Sequence, residues 1–220
     1  MYCEGREKEI KKILSHLQRG ENIILTGKYG IGRTTLMKHI AAIAMNRWRF
    51  LFLDFSQTPG QMIKQMSAML SPKKNSKSES HCLRYKYSRS FVVRVATKNK
   101  YSTVLVLDDV ARLTNPKLRL LQYLVLEGKF QFVVIVESFL PEEDLFRLRA
   151  ALLPMAVIKL RYLNEVSTVR LLHHLAVRYS FNWPEPDIHL LAAATHGYPL
   201  GVHDLVVREL ERQQQDGCRQ

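Results

Sequence analysis

Residues 27–36, GKYGIGRTTL, place Gly27, Gly32 and Thr34 at the spacing of a phosphate-binding loop, G-x-x-x-x-G-K-[ST], but put Arg33 where that pattern has lysine. Glycines let a backbone curl until successive N–H groups converge on one anion, and a helix that follows adds the positive end of its dipole. The candidate cradle therefore runs through Gly27, Lys28, Tyr29, Gly30, Ile31, Gly32, Arg33, Thr34 and Thr35. In such a loop the lysine adds a point charge at the terminal phosphates, and the next hydroxyl, here that of Thr34, meets Mg²⁺. Arg33 keeps the charge on a longer, planar fork, so phosphate binding is expected to survive while alignment of a terminal phosphate for transfer suffers. Lys28 is a weaker candidate to compensate.

A second motif supplies acid. VLVLDD ends an apolar run with Asp108 and Asp109, and carboxylates at a strand's carboxyl end lie beside such a loop in an α/β sheet. Asp108 is the candidate to hold the metal through water, and Asp109 the candidate base that polarises an attacking water. Alone, two acids after a strand could merely begin a turn; after a glycine loop they form a constellation.

The elements that must position these groups are legible as an alternation. NIILT (22–26), FLFLDF (50–55), TVLVLDD (103–109), FVVIVES (132–138) and MAVIKL (155–160) are apolar runs of the kind that strands show when helices cover both faces. They predict a parallel sheet built from βαβ units. Between them, REKEIKKILSHLQ carries Ile10, Ile13, Leu14 and Leu17 on one stripe, TTLMKHIAAIAMN starts right after the loop, and GQMIKQMSAML sets Met62, Met66 and Met69 for core packing. Beyond the fifth run the pattern is wholly helical. Asn164 is the expected N-cap of EVSTVRLLHHLAVRY, Gly197 the glycine ending DIHLLAAATH, and Pro199 the first turn of LGVHDLVVREL.

Composition narrows the partners. The chain has 220 residues, 46% of them hydrophobic, and a net charge of +13. Between Ser71 and Lys100, Lys73, Lys74, Lys77, Arg84, Lys86, Arg89, Arg94, Lys98 and Lys100 face a single acid, Glu79, so this segment supplies most of the charge. Its first half, SPKKNSKSES, is low in complexity; its second half, with Leu83, Tyr87, Phe91 and Val95 at four-residue steps, reads as helix. So basic a chain favours an acidic partner, nucleic acid first and an anionic membrane surface second. Tyr85, Tyr87 and Phe91 fit base stacking and helix packing equally.

Cys3, Cys82 and Cys218 are scattered, and His39, His173, His174 and His203 have no matching carboxylates, so no disulfide framework or metal cluster is expected. No apolar run reaches the ~18 residues that span a bilayer, and the charged start MYCEGREKEIKK lacks a signal-peptide core. A cytoplasmic location without membrane attachment is expected.

The order of EGREKEI, GKYGIGRTTL, VLVLDD, FVVIVES, IKLRYLNE and HGYPLGV resembles an AAA+ or STAND-type P-loop ATPase of the origin-recognition and transposition-regulator kind, over nearly the whole chain. The acid pair and IKLRYL also resemble the NB-ARC and archaeal STAND groups. The resemblance implies a three-layer αβα P-loop NTPase sandwich with a five-stranded parallel sheet over residues 1–161, followed by a small helical lid over 162–220. It implies ATP or ADP with Mg²⁺ as ligands, with Gly5 and Arg6 near the adenine and Gly197 and Pro199 covering it. Either Ser138 or Glu137 takes the sensor place that ends the fourth strand, and Ser138 is favoured because an acid is unusual there. Arg147 and Arg149 are candidates for an arginine finger reaching a neighbour's γ-phosphate, or belong to a solvated face.

Two functions follow. One is an ATP-dependent oligomeric switch acting on DNA through residues 71–100. The other is a STAND-type signalling or scaffold module in which nucleotide sets conformation with little hydrolysis; Arg33 suits it, but such proteins usually carry long regions beyond the lid. A small-molecule kinase ranks last, since such enzymes usually bring several arginines over the phosphates.

Overall fold

A computed structural model of the chain describes residues 3–71 and 85–217. The elements run α1 (Glu7–Gln18), β1 (Asn22–Thr26), α2 (Arg33–Ile43), β2 (Trp48–Asp54), α3 (Pro59–Leu70), α4 (Tyr85–Thr97), β3 (Ser102–Val110), α5 (Asn115–Leu126), β4 (Phe130–Val136), α6 (Glu142–Ala151), β5 (Met155–Lys159), α7 (Glu165–Tyr179), α8 (Glu185–Thr195) and α9 (Pro199–Gly217). The strands form one parallel sheet in the order β2-β3-β4-β1-β5. This is an α/β sandwich with helices on both faces of the sheet, followed by further helices.

Side chains alternate across a strand, so each strand feeds two cores. Ile23, Leu25, Val104, Val106, Val133 and Ile135 pack with Ile13 and Leu17 of α1 and Leu36, Met37 and Ile40 of α2. Ile24, Leu105, Leu107, Phe132 and Val134 face the other way, onto α3, α4, α5 and α6. Two covered faces are why the strands read as unbroken apolar runs. In α3, Met62, Ile63, Met66 and Leu70 are buried in this second core. Its start is fixed by Thr58 and Gln61, each bonding the other's backbone N–H, with Pro59 in the first turn.

In α4 the buried residues are Val92, Val93 and Ala96, while Tyr87 is exposed and Phe91 and Val95 are half-buried. The four-residue steps seen in sequence therefore run along the edge of the packed face. Arg89 is held with its guanidinium 4.3 Å from the Tyr123 ring of α5, whereas Arg94, Lys98 and Lys100 are exposed. Residues 72–84, with Lys73, Lys74, Lys77, Cys82, Leu83 and Arg84, lie outside the described residues, as do Cys218 and the side chains of Tyr85 and Lys86.

The C-terminal helices build a small core of their own. Leu172, Ile188, Ala192 and Val202 form one cluster, and Ala176, Phe181 and Val206 another. The Asn164 carboxamide accepts from the Ser167 N–H at 2.8 Å and caps α7. Past α8, His196 (φ 48°) and Gly197 (φ 73°) turn left-handed, and α9 starts at Pro199. Among the described residues no helix is long and apolar enough to cross a membrane.

Candidate nucleotide-binding site

The loop from Gly27 to Gly32 leaves the carboxyl end of β1, a central strand, and opens directly into α2. Gly32 is the N-cap of α2 at φ 90°, a conformation that L side chains resist, and no side chain caps this helix. The first-turn N–H groups of Arg33, Thr34 and Thr35 thus end a helix that brings no acceptor of its own. Gly30 (φ 70°) meets the start of α9: a Cβ there would stand 2.7 Å from the Tyr198 hydroxyl and from Leu200. The Tyr198 hydroxyl donates to the Tyr29 carbonyl at 2.8 Å, and its ring lies 5.4 Å from that of Tyr162. Lys28 points to the same aromatic pair, its Nζ 5.1 Å from the Tyr162 ring, and does not line the cleft.

Arg6 ties three segments together from a buried position. It donates to the Arg161 carbonyl at 2.7 Å and to the Ile31 carbonyl of the loop at 3.2 Å, with Glu9 at 3.6 Å. Burial lowers the pKa of its guanidinium, and Glu9 counters that. Gly5 packs on α7, where a Cβ would fall 2.5 Å from Ser167.

The acids arrive through a break in pairing. β3 and β4 are in register to Leu107 and Val134, then shift between Leu107 and Val110. Asp109 sits in that bulge with φ 60°, a strained place for a residue other than glycine. Its N–H donates to Asp108 Oδ1 at 3.0 Å. The Thr34 hydroxyl donates to the Asp108 carboxylate at 2.9 and 3.2 Å.

Arg33 does not project freely into the cradle, as the loop pattern led one to expect. Its Nη2 donates to both oxygens of Glu137 at 2.6 and 2.7 Å, and its Nη1 to the Val136 carbonyl. The two residues are 6% and 9% exposed, so the pair is buried. Strand β4 ends at Val136, which turns Glu137 inward and leaves Ser138 exposed and away from the cleft. Of the two candidates for the place that ends this strand, Glu137 rather than the sequence-favoured Ser138 stands beside the loop, where it neutralises a buried guanidinium.

These groups line a cleft of about 720 Å³ between the sheet and the C-terminal helices α7 and α9. One end is polar, with residues 29–35, Asp108, Asp109 and Glu137. The C-terminal helices add Leu171 and Leu175 from α7 and Pro199, Val202 and Val206 from α9, interspersed with His174, Arg178 and His203. Cys3 and Glu4 close the side near Arg6, and burial pushes the Cys3 thiol up to about 11. Gly197 stands outside the wall, pressed on Leu163, whose N–H donates to the Gly197 carbonyl at 2.8 Å. Gly5, Gly27, Arg147 and Arg149 do not line the cleft either. Arg147 bonds Asp144 at 3.2 Å and Asn115, whereas Arg149 is exposed. His174 and His203 do line it, a position the helical pattern did not disclose. The i,i+4 pairs Leu171/Leu175 and Val202/Val206 were the sequence signal for the apolar wall.

The donor set suits a nucleotide and a hard cation. An uncapped helix start with left-handed glycines offers N–H groups to phosphate. A threonine hydroxyl and one carboxylate offer oxygen to Mg²⁺, which keeps most of its waters and needs few protein ligands. Among the described residues there is no group of three or more His, Cys, Asp or Glu that could hold a metal ion.

A family model described as an AAA ATPase domain matches residues 3–136, more than half of the chain. Among solved structures, Cdc6p from Pyrobaculum aerophilum superposes with a TM-score of 0.71 at 15% identity, over 96% of this chain and 62% of that one. The RuvB Holliday junction branch migration motor of Thermotoga maritima gives 0.58 at 18% identity, over 92% and 61%. Orc1 of Aeropyrum pernix, solved in complex with DNA, gives 0.58 at 14%, over 96% and 66%. At such identities the likeness is one of fold, and the chain spans about three fifths of the Cdc6p and RuvB chains. No curated protein matches it.

Proposed function

Given that the chain belongs to the AAA ATPase domain family, we propose that its cleft binds ATP and ADP with magnesium and that the bound nucleotide sets the state of an oligomeric switch acting on DNA. The observation that carries this reading is the Thr34 hydroxyl held on the Asp108 carboxylate beneath the uncapped start of α2. Backbone N–H groups of Gly30 to Thr35 hold phosphate. Thr34 and Asp108 hold the cation, which, when bound, screens phosphate charge. Asp109, kept at the cleft by its bulge, orients and deprotonates water. Arg6 fixes the loop from behind, and the apolar wall with Pro199 takes the base. Residues 1–161 form the nucleotide domain and 162–220 the lid.

Hydrolysis is slow in this reading, because Arg33 is committed to Glu137 rather than to a transferring phosphate. The same pair favours the second reading, a STAND-type module that reports its nucleotide without turning it over. For an arginine finger, Arg149 is the better candidate, since Arg147 is already bound to Asp144 and Asn115. DNA contact falls to the basic segment 71–100, whose exposed Arg94, Lys98 and Lys100 would meet phosphates without reading sequence.

Calorimetric titration with Mg-ATP and Mg-ADP, followed by turnover assays with and without DNA, separates these readings. Binding that Thr34→Ala weakens by about tenfold or more supports the site. Turnover stimulated by DNA favours the switch, and binding without turnover under either condition favours the module. Absence of nucleotide binding would end both.

A further inference from the structure

We propose that Glu137 makes the cleft discriminate against a terminal phosphate, so that a nucleoside diphosphate is held in preference to the triphosphate. The inference rests on the nucleotide reading of the cleft and goes beyond it by naming which nucleotide the resting site prefers.

At position 33 a phosphate-binding loop presents its cation to the terminal phosphates. Here the terminal nitrogens of that cation all face the end of β4: Nη2 reaches both Glu137 oxygens at 2.6 and 2.7 Å, and Nη1 reaches the Val136 carbonyl. A carboxylate whose two oxygens both accept from one guanidinium nitrogen takes the donor that phosphate oxygens would otherwise use. The pair is buried, and breaking it would strand a charge out of water, so it is held rather than incidental.

No side-chain cation is then left free for the terminal phosphate. With Asp108 serving the cation, that end of the cleft still carries Asp109 and Glu137 against one guanidinium already neutralised. Arg6 is spent on the carbonyls of Ile31 and Arg161 and on Glu9. The other basic residues of the cleft, Arg178, His174 and His203, come from α7 and α9. A diphosphate avoids this conflict, because loop N–H groups and Mg²⁺ hold it without a side-chain cation. A third phosphate has to displace Glu137 from Arg33 or sit against it. Glu137 is thus a specificity-determining residue, and Arg33 the group that holds it in place.

The test measures Mg-ADP and Mg-ATP affinities of the full chain by titration calorimetry, in wild type, Glu137→Gln and Glu137→Asp. The wild type is expected to bind ADP at least about tenfold more tightly than ATP. Glu137→Gln is expected to shrink that ratio by about tenfold, mainly through tighter ATP binding, while Glu137→Asp, which keeps the charge, retains it. Because Glu137→Gln leaves Arg33 without its counter-charge and costs stability, the double variant Arg33→Met/Glu137→Met removes both charges. It too should lose the preference, with cooperative thermal unfolding as the check that it folds. Equal or tighter ATP binding by the wild type, or a ratio unchanged in both charge-removing variants, overturns the inference and leaves the nucleotide site standing. If neither nucleotide binds the wild type, the reading of the cleft falls and this inference with it.

Discussion

A guanidinium that already has a partner behaves differently from one waiting for a phosphate, and the chemistry at position 33 follows from that. Arg33→Lys is expected to raise ATP turnover several-fold, because a compact ammonium cannot fork onto Glu137 and the Val136 carbonyl and is freed toward phosphate. A steady-state assay checks it, and unchanged or lower turnover speaks against the pairing as the brake. Arg6→Leu leaves the carbonyls of Ile31 and Arg161 without their donor and should cost about 2–4 kcal/mol in denaturant unfolding, with weakened nucleotide binding. Cys3 adds a pH signature. Its pKa is raised, so the reactive thiolate appears only as pH climbs toward about 11. In a Cys82→Ser/Cys218→Ser background, alkylation of Cys3 at neutral pH should run about a hundredfold slower than a free thiol and slow further with bound nucleotide. Alkylation at the free-thiol rate would contradict its burial in the cleft wall. The pairing of Arg33 with Glu137 was not legible in sequence: the partners stand 104 residues apart, and an acid after a strand looks like the start of a turn until the buried charge beside it is seen.

At the scale of elements, local rules and tertiary demands largely agree. The five strands were readable because helices cover both faces of the sheet, and Asn164, Gly197 and Pro199 because each residue type suits one backbone position at a helix end. Asn164→Ala should therefore cost about 1 kcal/mol, seen as a modest fall in melting temperature. Gly197→Ala should cost more, since a Cβ there runs into the Leu163 carbonyl and the residue is left-handed, and the lid should loosen from the loop. Limited proteolysis between β5 and α7 checks this, and wild-type resistance would contradict it. Less legible were the exact face of α4, where Val92, Val93 and Ala96 are buried instead of the four-step series, and the contact of Tyr198 with the Tyr29 carbonyl. Both depend on which neighbour an exposed-looking aromatic finds, information that periodicity does not contain.

For the molecule as a whole, the net charge of +13 is the clearest property outside the cleft. If residues 71–100 meet a nucleic-acid backbone, duplex binding should weaken by about tenfold or more between about 50 and about 200 mM salt, and neutralising Arg94, Lys98 and Lys100 together should flatten that slope. Binding that ignores salt would remove DNA from the account. The loop, acids and lid nonetheless make one claim before any partner is considered, that the cleft between sheet and lid is built around nucleotide phosphates. A crystal structure of the chain grown with Mg-ADP tests it most directly. The account predicts the diphosphate against the amides of Gly30 to Thr35, the cation beside Thr34 and Asp108, and Arg33 still on Glu137. A cleft empty of nucleotide at saturating concentration, or nucleotide bound elsewhere, would contradict it.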